Sequence, residues 1–78
     1  MASKLSNRLQ EIVDALPLQE GLSVLEIGCG SGAAAREVAK GIPGGRVLGI
    51  DRSSMAIRQA VESSQAEIGS GILSFRMV

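Results

Sequence analysis

Histidine, tryptophan and tyrosine are absent from the 78 residues, and cysteine, phenylalanine and proline are scarce at one, one and two. Without histidine, no catalytic dyad or triad built on an imidazole base can form within this chain. One thiol and no imidazole cannot complete the usual tetrahedral shell of zinc, so no metal ligands are expected. The single cysteine likewise excludes an internal disulfide. Excess charge of one sign is missing too: Lys plus Arg number 8, Asp plus Glu number 8, and the formal net charge is +0. That balance offers no electrostatic reason to expect nucleic acid or an anionic membrane as a partner. A lone aromatic cannot build a stacking surface for single strands. No run approaches the ~20 apolar residues of a membrane helix. Glu11 and Asp14 also interrupt the stretch after Lys4 and Arg8 that a secretory leader would keep apolar, so a cytoplasmic location is expected.

The 45% hydrophobic fraction argues for a globular chain. A domain this short buries only ~60% of the surface its unfolded form exposes, which leaves a thin margin of stability. Ten glycines exceed the ~7% average share, so some turns carry unusual backbone conformations.

Leu5, Leu9, Ile12, Val13 and Leu16 recur at helical spacing, with Asn7, Arg8, Gln10 and Glu11 opposite, and predict a helix that packs on the sheet and ends at Pro17. Val24, Leu25 and Ile27 then form a short apolar run that reads as a buried strand starting at Ser23. The alanine-rich stretch from Ala33 to Lys40 predicts a second helix, stopped at Gly41 and the Ile42-Pro43-Gly44-Gly45 segment. Arg46 to Ile50 reads as a second strand with Asp51 at its carboxyl end. Ser53 is a candidate N-cap for a third helix carrying Ile57, Ala60 and Val61 on one face. Gly69, Ser70 and Gly71 break the chain before a third strand from Ile72 to Val78.

The predicted order of elements is two βαβ units in succession behind a leading helix. The fold class is therefore α/β: an incomplete βαβαβ half of a Rossmann-like three-layer sandwich, with a three-stranded parallel sheet. Parallel sheets normally carry helices on both faces. Residues 1–78 are accordingly expected to be the N-terminal part of a larger domain, truncated after the third strand.

The chemistry is concentrated in Glu26-Ile27-Gly28-Cys29-Gly30-Ser31-Gly32, between the first strand and the second helix. Glycines there admit backbone angles closed to other residues and let a ligand approach the main chain. The carboxyl ends of strands are where open α/β sheets bind ligands, and the amino end of the following helix adds unpaired amides and positive potential. Asp51, at the tip of the adjacent strand, can accept hydrogen bonds from both hydroxyls of a ribose. Together these point to a nucleoside cofactor, against the plainer reading of a structural strand-to-helix turn. Gly28-x-Gly30-x-x-Ala33 also satisfies the dinucleotide fingerprint. Glu26 weighs against a dinucleotide: beside a pyrophosphate its carboxylate would be repelled by several kcal/mol at an effective dielectric of ~20. An ammonium and a sulfonium would be attracted instead.

Val24-Leu25-Glu26-Ile27-Gly28-Cys29-Gly30-Ser31-Gly32 resembles motif I of the class I S-adenosylmethionine-dependent methyltransferases. Gly49-Ile50-Asp51-Arg52-Ser53, followed by Ile57 and Ala60, is similar to that family's next segment. The resemblance covers the chain from about Leu5 to Val78 but only the front part of the family's domain. It implies S-adenosyl-L-methionine as cofactor and a parent sheet of about seven strands. It further implies that Gly28, Cys29, Gly30 and Gly32 form the loop around the methionine moiety. Glu26 would then contact the amino group, Asp51 the ribose hydroxyls, and Arg52 the neighbourhood of the adenine. The family's next acidic contact would fall beyond Val78, as would the substrate determinants and any general base, so no catalytic residue is named.

Cys29 has no base to activate it and is not expected to be a nucleophile. Ser31 reads equally as a helix cap or a cofactor contact, Met55 as a core residue, and Phe75 as core. Ser23 and Glu26 mimic a capping box but fall in a strand. Three functions follow. The first is the cofactor-binding portion of a methyltransferase acting on a small-molecule acceptor. The second is half of a nicotinamide- or flavin-dependent oxidoreductase. The third is a truncated, non-catalytic product that self-associates through the open edge of its first strand.

Overall fold

The structure is a computed structural model that describes residues 6–78; Leu5 and Lys4 lie outside the described residues. Ser6 starts helix α1 (Asn7–Asp14), its hydroxyl accepting from the Leu9 N–H at 3.2 Å. The helix stops at the Ala15 cap, short of Pro17, and the chain turns so that Leu16 N–H donates to the Val13 carbonyl. Strand β1 (Ser23–Ile27) leads through the glycine loop into α2 (Ala33–Lys40). Strand β2 (Arg46–Asp51) then precedes α3 (Ser54–Ser63), with Ser53 as N-cap accepting from the Ala56 N–H at 3.1 Å. A short helix α4 (Gln65–Gly69), which the apolar periodicity did not reveal, follows a break at Ser64. Strand β3 (Leu73–Met77) completes the order.

The sheet is three-stranded, parallel and ordered β1-β2-β3. Ser23 to Ile27 stand opposite Arg46 to Ile50, and Val47 to Asp51 stand opposite Leu73 to Met77. Both crossovers step the same way along the sheet, so right-handed connections carry α2 and α3 to the same face. The Arg36 guanidinium on α2 donates to the Ser64 hydroxyl at the end of α3 at 3.0 Å, which ties the two helices side by side. The core lies between this helical layer and the sheet: Val13, Ala35, Val38, Ala39, Ile42, Val47 and Leu73 are buried together. Among the described residues nothing covers the opposite face, where Leu25 is 57% and Ile27 78% exposed.

Three expectations are corrected here. The α1 stripe does not lie on the sheet: the helix packs on α2 through buried Val13, while Leu9, Ile12 and Leu16 stay exposed. Strand β1 is covered on one face only, because same-sense crossovers leave its other face without a helix. Met55 is 69% exposed, since it falls in the first turn of α3 on the side away from the sheet. Phe75 is half-buried and packs against the edge of the core.

Candidate functional site

At the carboxyl ends of β1 and β2 the main chain itself builds the site. The N–H groups of Gly28 and Cys29 both donate to the Ile50 carbonyl, at 2.8 and 2.9 Å, and pin the start of the glycine loop to the neighbouring strand. Gly32 N–H closes the loop on the Cys29 carbonyl at 3.0 Å. Gly28, Gly30 and Gly32 all hold positive φ, at 72°, 54° and 85°. Gly32, not Ser31, is the N-cap of α2, and no side chain caps the helix. Its first N–H groups therefore keep their hydrogen-bonding capacity for a ligand or water. Ser31 serves otherwise, its carbonyl accepting from the Arg36 guanidinium at 3.0 Å.

Asp51 fastens the middle of the loop. One carboxylate oxygen accepts from the Gly30 N–H at 2.9 Å and the other from the Ser53 N–H at 2.8 Å. Those amides, Ser53 first and then Gly30, hold its carboxyl below the usual range. Each oxygen retains a further lone pair with which to accept a hydroxyl.

Glu26 behaves in the opposite way. It stands on the helix-covered face of β1, and its Oε1 is buried with no hydrogen-bond partner among the described residues. Burial pushes its carboxyl up. A charged oxygen left unpaired in a partly dry site is costly unless a cationic donor joins it. Cys29 lies behind the loop, buried, with its Sγ 3.8 Å from the Gly30 carbonyl. Burial and the nearby charges of Glu26 and Asp51 push its thiol up, away from the reactive thiolate.

Between the strand tips lies a cavity of about 180 Å³ lined by Ile27, Gly28, Ile50, Asp51, Arg52 and Val78. Its volume is below the ~300–1,000 Å³ that encloses a drug-sized ligand, so these residues make one wall of a site. Around Gly28 and Gly30 a Cβ would meet nothing within 4 Å, and a ligand can approach that backbone freely. The structure thus brings Gly28, Asp51 and Arg52 to one cavity, with Gly30 bound to Asp51. Glu26 and Cys29 stand behind the loop and outside the cavity lining. Sequence reasoning missed Ile27 and Ile50 as its apolar floor; their direct pairing at the ends of two parallel strands was the available signal.

Residues 18–76 match the model of a family described as methyltransferase domain. The chain is 38% identical over 73 residues to nocamycin O-methyltransferase of Saccharothrix syringae, covering 92% of this chain and 25% of that protein. It superposes with a TM-score of 0.75 and 28% identity on a SAM-dependent methyltransferase from Thiobacillus denitrificans solved with S-adenosyl-L-homocysteine, covering 100% of this chain and 32% of that one. The [4+2]-cyclase SpnF is similar at a TM-score of 0.74 and 28% identity, over 91% of this chain and 26% of its own. The chain spans a third or less of each of these proteins.

Proposed function

We propose, from the premise that this chain belongs to the methyltransferase domain family, that it forms the S-adenosyl-L-methionine-binding part of an enzyme that methylates a small molecule. The observation that carries the reading is the buried, unpartnered Oε1 of Glu26 behind the glycine loop. An anionic acceptor without a donor suits a ligand that brings an ammonium, and it disfavours a pyrophosphate.

When bound, the cofactor supplies an activated methyl group on a sulfonium, already a good leaving group. The residues of this chain bind and orient. Glu26 would receive the amino group, the open backbone at Gly28 and Gly30 would lie along the methionine moiety, and the spare lone pairs of Asp51 would accept the ribose hydroxyls. Ile27 and Ile50 offer the cofactor an apolar wall that its binding would cover, and Arg52 would border the adenine side. Alignment of this kind can contribute ~7–11 kcal/mol toward an in-line displacement. A small-molecule acceptor is supported by the resemblance to nocamycin O-methyltransferase.

The test is an amide-resolved NMR titration of the 78-residue chain with S-adenosylhomocysteine and, separately, with NAD. The homocysteine compound, held only weakly by this one wall of the site, is expected to shift the Gly28, Gly30 and Gly32 amides at high concentration and to raise the melting temperature, since a ligand selective for the native state stabilises it. A response to NAD alone would reject this reading in favour of an oxidoreductase half-domain.

A further inference from the structure

Phe75 is the register partner of Gly49, and Gly49 in turn pairs with Glu26, so the three form one row across the sheet. The middle position of that row has no side chain, and the phenyl ring leans into the space. A Cβ at Gly49 would lie 2.8 Å from Phe75 Cδ1, 2.9 Å from Cε1 and 3.0 Å from the Cβ of Cys29. The far end of the same ring reaches the loop: a Cβ at Gly32 would lie 2.9 Å from Phe75 Cζ and 3.2 Å from Cε1. One edge of the ring, from Cδ1 through Cε1 to Cζ, therefore runs from the bare position of β2 to the cap of α2. Ile50 pins the start of the loop and Asp51 its middle, and at the far end the ring lies against Gly32.

We propose that Phe75 is a positioning residue that seats the glycine loop, its ring filling the space left by Gly49 and Gly32 and so fixing the height of residues 28–32 above the sheet. The placement of loop amides toward a cofactor rests on the reading given above; the seating itself does not. Well-packed interiors respond to changes of a single methylene, and binding groups lose effect when displaced by ~1 Å. A ring edge that lies beside both glycines passes a change in its own volume on to the loop.

The fit makes a reciprocal prediction. Gly49→Ala adds a methyl where the ring lies and pushes it; Phe75→Leu shortens the ring side chain and lets the loop settle. Combined, the two changes offset one another. The experiment is hydrogen exchange on the 78-residue chain, with the Gly30 and Gly32 amides as loop reporters. The Val47 amide, bonded to the Ile72 carbonyl at 2.7 Å, reports on the sheet. Each single substitution is expected to speed loop exchange roughly tenfold more than sheet exchange, and the double variant to return the loop near wild type. Phe75→Met gives the same contrast with a different loss of shape if Phe75→Leu does not fold. Loop and sheet protection falling together, or the double variant behaving as the sum of the singles, overturns the proposal. S-adenosylhomocysteine titration of the wild-type chain separates the two readings. No response to it alongside split exchange sinks the cofactor assignment and leaves the seat standing; a response with unsplit exchange does the reverse.

Discussion

Replacing Glu26 by glutamine should make the ligand-free chain more stable and its cofactor binding weaker. The Oε1 of Glu26 is buried with no donor, and the carboxyl is pushed up by desolvation. An unsatisfied buried acceptor costs ~1–3 kcal/mol, and more when charged. Glutamine keeps the shape and removes the charge but leaves a polar group, so a gain of about 1 kcal/mol at neutral pH is expected. In a domain of this size that raises Tm by ~4–8 °C. The pH dependence fixes the cause. A carboxyl with a raised folded-state pKa contributes stability that is complete below the ordinary carboxylate range and is lost as pH rises through the raised value. The advantage of Glu26→Gln should therefore be largest near neutral pH and fade as the medium is acidified toward about pH 4. Asp51 titrates with the opposite sign but is present in both proteins, so it cancels in the difference. Thermal unfolding followed by circular dichroism across that range measures it, and the same variant should respond at least roughly tenfold more weakly to S-adenosylhomocysteine. A glutamine variant less stable than wild type near neutral pH, or an advantage indifferent to pH, would refute the reasoning.

Four further outcomes are expected. Asp51→Asn should speed exchange at the Gly30 amide. It should also remove the acid limb of the stability profile, because Asp51, with its lowered pKa, contributes stability above the ordinary carboxylate range that is lost as pH falls through the lowered value; an unchanged acid limb would dismiss the anchoring role. Gly32→Ala should cost ~2–4 kcal/mol in denaturant unfolding, from φ of +85° together with a Cβ 2.9 Å from the Phe75 ring. Cys29, buried and with its thiol pushed up, should react with a disulfide reagent at least roughly tenfold more slowly in the folded chain than in urea; equal rates would contradict its placement. Sedimentation velocity should show concentration-dependent association, driven by the open β1 edge and the exposed Leu25 and Ile27, and a concentration-independent monomer would count against it.

Much of this architecture was readable from local pattern. β1 and α2 follow the sequence reading, and Ser53 caps α3, because apolar spacing, alanine content and a hydroxyl N-cap are local causes with local effects. What escaped was non-local. The exposure of Leu25, Ile27 and Met55 depends on which side of the sheet the crossovers run, and the α1 stripe on which surface α2 leaves free. Within the site, the glycines and Asp51 were legible as a motif, but the bond from the Gly30 N–H to Asp51 joins residues far apart in the chain. Of the two readings open for Ser31, the cap falls away because the N-cap of α2 is Gly32, at positive φ. The space shared by Gly49, Phe75 and Gly32 has no signature in spacing, since a glycine in a strand marks a void without saying what fills it.

The strand order has a consequence for how the site is completed. Winding never reverses among β1, β2 and β3, and in open α/β sheets the crevice forms where it does. The unpaired edge of β1 adjoins the glycine loop, so any strand that adds there with opposite winding also raises the far wall of the crevice. Edge pairing and ligand capture would then be thermodynamically linked, each tightening the other by the same factor.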